Sequence, residues 1–131
     1  CVAGAEKSFI ERQLTPVIVS YEMLERWALV AKDFENSSAV LKVNTGMGRL
    51  GLEVDEFQKM LANIELLRDA RVECLMSHFA CADEPGHPLN ATQIERFNEM
   101  HETLQRRGVL LKKSIANSAG VFWGEVKWLA R

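Results

Sequence analysis

Long apolar runs, clusters of basic residues and paired cysteines are all missing from this sequence of 131 residues. No apolar run approaches the roughly 20 residues that a membrane-spanning helix needs, so we expect no membrane contact. The net charge is −2, only 8% of the residues are aromatic and no basic run is present, which argues against a nucleic-acid partner. The cysteines, Cys1, Cys74 and Cys81, form an odd set without metal-binding spacing. They indicate reduced intracellular thiols and no metal site.

The sequence also lacks a signal peptide and an initiator methionine, since it begins at Cys1. Its 47% hydrophobic and 26% charged residues are typical of a folded domain. The length fits one domain or part of a larger one. We therefore expect a piece of a longer protein.

Short β-branched runs alternate with amphipathic stretches along the chain. Strands are predicted over residues 15–20, 39–43, 72–80 and 109–117. Helices are predicted over residues 21–34, 54–69 and 90–108, with Asp55 and Asn90 as candidate N-caps and Gly108 as the stop. This order predicts an α/β fold of about four parallel strands alternating with helices. Periodicity leaves open whether the units form half of a (β/α)8 barrel or a small open sheet.

Polar residues follow the predicted strands where a parallel sheet would gather them. The carboxyl ends of parallel strands face one way, and the loops after them carry the functional site. Arg49 follows the second strand in a glycine-rich loop, and Lys42 lies within that strand. His78 lies near the end of the third predicted strand, and Asn117 and Ser118 follow the fourth. The sequence therefore predicts a site at this edge of the sheet.

Each of these residues also has a purely structural interpretation. Lys42 is compatible with an edge strand or a snorkelling side chain, and Arg49 with a surface ion pair. His78 is compatible with a hydrogen-bonded core histidine. The segment NSAG, residues 117–120, resembles a turn that starts a helix, although its free N–H groups would suit a phosphate.

The other polar candidates are predicted to be structural or solvent-exposed. His87 and His101 are expected in a loop and on a solvent face, and surface positions are expected for Glu84, Glu95 and Glu99. The loop TGMGRLG lacks both common nucleotide-binding glycine patterns, and no Ser/His/Asp set stands out.

Three motifs in order and spacing closely resemble the alanine racemase family. They are LKVNTGMGRLG at residues 41–51, MSHFACADEP at residues 76–85 and IANSAG at residues 115–120. LTPVIVSYEMLERW, at residues 14–27, is also similar to that family. The resemblance implies strands four to seven of a (β/α)8 barrel. It also implies a bacterial, cytoplasmic, dimeric isomerase that uses pyridoxal 5'-phosphate to interconvert L- and D-alanine for peptidoglycan.

The resemblance assigns roles to five residues. It implies that Arg49 approaches the phenolic oxygen of the cofactor and the carboxylate of the substrate. His78 corresponds to the histidine that stacks on the pyridine ring, and Ser118, with Asn117 beside it, to the phosphate-binding serine. Lys42 corresponds to a lysine that is carbamylated in some members, which would orient Arg49 and relieve repulsion between two cations.

The sequence departs from the family pattern at several points. Asn44 stands where many members have aspartate. The family's cofactor lysine lies in a motif that does not occur here, and Tyr21, the only tyrosine, does not match the catalytic tyrosine. We therefore expect residues 1–131 to form part of the barrel domain, without the cofactor-lysine segment, the C-terminal β domain or any catalytic base. The alternatives are a non-catalytic phosphate- or cofactor-binding α/β module and a non-functional truncated product.

Overall fold

A computed structural model describes residues 3–123 of the chain. Cys1, whose thiol state is predicted above, lies outside the described residues. Cys74 and Cys81 are free thiols. None of the helices between residues 3 and 123 combines the length and the apolar composition of a membrane-spanning segment.

Between residues 3 and 123, four parallel strands form one sheet in the order β1-β2-β3-β4. They are β1 (Val17–Ile18), β2 (Ala39–Lys42), β3 (Val72–Met76) and β4 (Lys112–Ser114). All four predicted strands are therefore present, and the parallel α/β arrangement is confirmed. Each strand is shorter than predicted. The chain leaves the sheet after β1 because Ser20 already caps the next helix, accepting a hydrogen bond from the Met23 N–H at 3.2 Å.

Six helices accompany the strands in the part of the chain that the structure describes. They are α1 (Glu6–Glu11), α2 (Tyr21–Ala31), α3 (Val54–Ala62), α4 (Glu65–Asp69), α5 (Pro88–Arg106) and α6 (Ser118–Val121). The single helix predicted over residues 54–69 is thus two helices, because the backbone leaves the helical region at Asn63 (φ −128°, ψ 63°). Helix α1 was not predicted. Helix α5 ends before Gly108, as expected, and Gly108 adopts a positive φ of 77°.

Both predicted N-caps are wrong by a few residues. Glu53, not Asp55, caps α3, and it forms a capping box in which the Glu56 carboxylate accepts from the Glu53 N–H. Helix α5 begins at Pro88, with the His87 imidazole accepting from the Leu89 N–H at 3.1 Å. Proline suits this first turn because its missing N–H would have no helical partner there.

The core lies between one face of the sheet and the helices. Alternate strand residues point to this face, and Ile18, Leu41 and Leu75 are completely buried. The helices cover them with large apolar side chains that are also fully buried, among them Leu24, Trp27, Met60, Leu67 and Leu104. The Trp27 indole N–H donates to the Ala70 carbonyl at 3.0 Å, which joins α2 to the segment before β3.

The opposite face of the sheet is only partly covered. Its rows follow the strand register: Val17 pairs with Val40 and Val40 with Cys74, while Lys42 pairs with Met76 and Met76 with Ser114. Val17 is 39% exposed and the other members of the two rows are partly buried. Lys42 and its neighbours therefore line a face that no described helix covers.

Candidate functional site at the carboxyl ends of the strands

The structure brings the candidate residues to one rim of the sheet. Lys42 is the last residue of β2, and Arg49 lies in the loop that follows. His78 comes two residues after the end of β3, and Asn117 and Ser118 follow β4. Because the three strands are adjacent and parallel, their carboxyl ends meet at the same edge.

The loop that carries Arg49 is closed by the backbone. The Leu52 N–H donates to the Lys42 carbonyl at 2.8 Å, and the Asn44 N–H donates to the Leu52 carbonyl at 3.0 Å. Closure requires glycine at position 51, where φ is +128° and a Cβ atom would lie 2.6 Å from the Val43 carbonyl carbon. The two ends of this short loop are thus joined by hydrogen bonds, and Arg49 lies on the loop with its side chain exposed.

Asn44 organises the interior of this loop. Its side-chain oxygen accepts from the Gly46 and Gly48 N–H groups, both at 3.0 Å. Its amide nitrogen donates to Glu53 Oε1 at 2.6 Å. Since Glu53 also caps α3, one amide joins the loop to the start of the helix. An aspartate could accept the same two loop hydrogen bonds but could not donate to Glu53.

The electrostatics of the rim are positive. Burial and the neighbouring Arg49 guanidinium lower the pKa of Lys42 below its ordinary value. Burial, Lys42 and Arg49, in that order, lower the pKa of His78. Among residues 3–123, no carboxylate forms an ion pair with Lys42 or Arg49. The three groups therefore share a field that suits an anionic ligand, with His78 held in its neutral form near pH 7.

The loop after β4 is attached to the segment after β3. Asn117 caps α6, with its side-chain oxygen accepting from the Gly120 N–H at 3.0 Å and its amide donating to the Phe79 carbonyl at 3.4 Å. Gly120 packs closely on the Phe79 ring, where a Cβ atom would come within 3.2 Å. The Asn117 amide is thus occupied by protein groups, whereas Ser118 is exposed beside it.

The geometry excludes some of the structural interpretations. Lys42 is not on an edge strand of the described sheet, because β2 lies between β1 and β3. Arg49 forms no ion pair with a described residue. His78 is partly buried, and within residues 3–123 no hydrogen bond involves its imidazole. These observations leave all three side chains available to a ligand.

One histidine expectation is wrong. His101 is buried, 6% exposed, and its Nε2 is 2.8 Å from the Leu111 carbonyl oxygen, so it joins α5 to the chain just before β4. The helical spacing of Phe97, His101 and Leu104, all buried, could have revealed this position. His87 caps a helix, as described, and Glu84, Glu95 and Glu99 are exposed as expected.

Sequence reasoning missed Gln93 and the buried polar cluster that it completes behind the rim. The cluster consists of Thr45, Ser77 and Gln93, of which Gln93 is completely buried in the middle of α5. The signal was the position of Gln93 four residues before Phe97, on the buried face of the helix. Thr45 and Ser77 lie within the motifs at residues 41–51 and 76–85, whereas no motif marks Gln93.

The structure therefore shows a protein of the parallel α/β class, with a lysine, an arginine and a histidine at adjacent strand ends. The family model for the N-terminal domain of alanine racemase matches residues 3–130, and the chain belongs to this family. The resemblance stated from the motifs is thereby confirmed.

Three relatives illustrate the similarity. The alanine racemase of Rhizobium meliloti is 40% identical over 121 residues, which cover 92% of this chain and 31% of that protein. The alanine racemase of Rhodospirillum rubrum is 39% identical over 122 residues, covering 92% and 32%. The crystal structure of alanine racemase from Bartonella henselae, with covalently bound pyridoxal phosphate, matches with a TM-score of 0.87 at 27% identity, covering 99% of this chain and 37% of that one. The match confirms that the sheet is part of a barrel. The chain spans about a third of the length of the relatives it matches.

Proposed function

We propose that this chain forms part of the cofactor- and substrate-binding wall of a pyridoxal-phosphate-dependent alanine racemase. The whole enzyme would interconvert L- and D-alanine for peptidoglycan synthesis in the bacterial cytoplasm, as a homodimer. The observation that carries the proposal is the convergence of Lys42, Arg49 and His78 at the ends of adjacent strands, in a chain of this family.

The residues present fit such a cofactor. Pyridoxal phosphate carries a phosphate and a phenolic oxygen, and the substrate adds a carboxylate. The described rim offers three nitrogen-bearing side chains without a carboxylate partner for Lys42 or Arg49. Arg49 would hold the phenolic oxygen and the substrate carboxylate, because a guanidinium presents a planar fork of donors. Ser118 would bind the phosphate. The hydrogen bonds of Asn117 would hold the segment that carries Ser118 in place.

Two properties of His78 suit a role against the cofactor ring. Its imidazole forms no hydrogen bond with a described residue, so no such bond fixes the ring in an orientation that would prevent stacking. Its lowered pKa keeps it neutral near pH 7, so it can pack against an aromatic ring without adding a proton to the site. When bound, the cofactor supplies a sink for the electrons of the bond between the α-carbon and its hydrogen. This chain supplies binding and orientation.

Lys42 is proposed as a site of carbamylation. Carbamate formation requires the neutral amine, whose nitrogen attacks carbon dioxide and then releases one proton. Burial and the Arg49 charge both favour the neutral amine, since both lower the pKa of Lys42. The product is an anion, which would pair with Arg49 and replace a repulsive contact with an attractive one.

A chimera tests the proposal. Residues 3–123 would replace the matched segment of the Rhizobium meliloti racemase, whose remaining sequence completes the enzyme. We expect D-alanine formation, reduced at least roughly 100-fold by Arg49→Ala, as for loss of a group that stabilises developing charge. Arg107→Ala, at an exposed arginine beyond the end of α5, is the matched control and should retain activity.

The same chimera separates the alternatives. A folded chimera that binds pyridoxal phosphate but forms no D-alanine would contradict the racemase assignment and favour the non-catalytic binding module. The feature that supports that alternative is the exposed Ser118, the first residue of α6. A folded chimera that binds no cofactor would favour the non-functional product.

A further inference from the structure

Helix α5 carries one side-chain amide, that of Gln93, which contacts both the loop after β2 and the segment after β3. Gln93 Nε2 donates to Thr45 Oγ1 at 3.1 Å and to the His78 carbonyl at 2.9 Å. Gln93 Oε1 accepts from the Ala80 N–H at 2.9 Å. Both amide protons and the oxygen are therefore used, and the Gln93 side chain has no exposure to solvent.

Beyond Gln93, the hydrogen bonds run from donor to acceptor through Thr45 and Ser77 to the Val43 carbonyl. Ser77 Oγ donates its single proton to the Val43 carbonyl at 3.0 Å. The 2.8 Å contact between the Thr45 and Ser77 hydroxyls must then have Thr45 as its donor. Thr45 is thus free to accept from Gln93, and each hydroxyl both donates and accepts. A chain of hydrogen bonds that is fully satisfied and buried fixes the positions of its members.

The loop with Arg49 also rests on the same helix. A Cβ atom at Gly46 would lie 3.3 Å from Leu89 Cδ1 and 3.6 Å from Gln93 Cγ, so the loop backbone lies directly against α5. The Arg96 guanidinium donates to the Thr45 carbonyl at 3.3 Å. Leu89, Gln93 and Arg96 are spaced along one face of the helix. Helix α5, which follows β3, therefore supports the loop that follows β2.

We propose that Gln93 is the positioning residue that sets the Arg49 loop against the His78 segment. Its side chain is completely buried and its three hydrogen bonds all go to protein groups. It acts through Thr45, at the start of the loop, and through the backbone of His78 and Ala80. The inference rests on the proposed function for the roles of Arg49 and His78, but the connection itself is independent of any cofactor.

The test uses the 131-residue chain without cofactor. Gln93→Met keeps the length and helix preference of the side chain and removes all three hydrogen bonds. We expect nuclear magnetic resonance to show the Ala80 amide proton exchanging about fivefold faster, the factor for one hydrogen bond of ordinary strength. The same variant should move the titration of His78 toward its ordinary value, because the loop that places Arg49 near it would lose its support.

Two controls separate positioning from general stability. Gln105→Met changes an exposed glutamine of the same helix and should alter neither measurement. Leu104→Val trims a fully buried side chain about three turns further along α5 than Gln93, so it should lower the unfolding temperature while leaving the His78 titration unchanged. An unchanged His78 titration in Gln93→Met, or an equal shift in Leu104→Val, would overturn the proposal.

A second variant decides the question if Gln93→Met does not fold. Thr45→Val keeps the shape of the side chain and removes only the hydroxyl that joins Gln93 to the loop. It should shift the His78 titration in the same direction and leave Ala80 protected, because the Gln93 contact with Ala80 remains. No shift in Thr45→Val would also overturn the proposal. An inactive chimera combined with these shifts would refute the racemase function and leave the positioning role intact.

Discussion

Arg49 and His78 lie at the carboxyl ends of neighbouring parallel strands, close enough that the guanidinium charge lowers the pKa of the imidazole. Lys42, at the end of β2, adds to the same effect, and its own pKa is lowered by Arg49. Three groups from two strands thus form one electrostatic unit. An anionic ligand would relieve the repulsion between Lys42 and Arg49 and would also act on the titration of His78.

We predict that removing either cation raises the pKa of His78. Burial contributes most to the lowering, Lys42 next and Arg49 least, so Lys42→Met should have a larger effect than Arg49→Ala. Titration of the imidazole by nuclear magnetic resonance measures the shift, with Arg107→Ala as the control. An Arg49→Ala effect equal to that of the control would contradict the proximity.

The lowered pKa of His78 also determines whether the stability of the fold rises or falls with pH. The folded state binds this proton less readily than the unfolded state does, whose histidine pKa is about 6.5. The contribution of His78 to stability is therefore full above that pH and falls as the pH drops through it toward the folded-state pKa. Inorganic phosphate bound at the rim should oppose the loss, because a nearby anion favours the charged imidazole.

The sequence predicted the sheet and the placement of the candidate residues because those depend on strand periodicity and on the geometry of parallel strands. Lys42 and His78 share a rim for this reason. The cap of α5 was placed three residues late at Asn90, because His87 is an uncommon cap and the local pattern favours asparagine. Asn90 is buried instead, and its amide donates to the Cys81 and Glu84 carbonyls. Gln93 was missed since its partners are remote in sequence.

Gly51 should be the least replaceable glycine of the Arg49 loop. Gly51→Ala combines a φ of +128° with a Cβ atom placed 2.6 Å from backbone, so we expect the free energy of unfolding to fall by about 2 kcal/mol or more. Gly48→Ala, with φ +66° and open space around it, should cost about 1 kcal/mol. Gly86→Ala has neither problem and serves as the control. Urea unfolding measures all three, and equal costs at positions 51 and 86 would contradict the closed loop.

Asn44 and Glu53 should depend on each other. Asn44→Asp keeps the two loop hydrogen bonds but places a carboxylate against the Glu53 carboxylate, so we expect a loss of about 1 kcal/mol in the free energy of unfolding. Adding Glu53→Gln should recover most of it, because the new amide can donate to Asp. Asn36→Asp, at an exposed turn, is the matched control. Independent, additive effects of the two substitutions would contradict the interaction.

Carbamylation of Lys42 should depend on Arg49. Without the guanidinium, Lys42 loses one cause of its lowered pKa and the counter-ion of the product, so Arg49→Ala should carry less carbamate. Native mass spectrometry in bicarbonate measures the modification in both proteins, and Lys32, exposed at the end of α2, is the internal control. Equal modification of Lys42 with and without Arg49 would mean that the arginine does not drive it.

By itself, the 131-residue chain should show no racemase activity and should hold pyridoxal phosphate weakly. No residue of the sequence matches the family's cofactor lysine or its catalytic tyrosine, and each proton-transfer group typically contributes about 10²–10⁴-fold to the rate. The sheet face with Val17 and Lys42 is also uncovered by any described helix, so the rim lacks an enclosing wall. Ser118 and Arg49 would still attract the phosphate.

Purified chain, incubated with pyridoxal phosphate and L-alanine, provides the measurement. We expect D-alanine only at the rate of the cofactor alone, and cofactor absorbance that is lost on gel filtration. Borohydride treatment should label lysines without preference, since none is placed to hold the cofactor covalently. Arg49→Ala should weaken the residual binding further, while Arg107→Ala should not. D-alanine above the cofactor background, or reduction at one defined lysine, would show that these residues can assemble a working site without the lysine and tyrosine of the family.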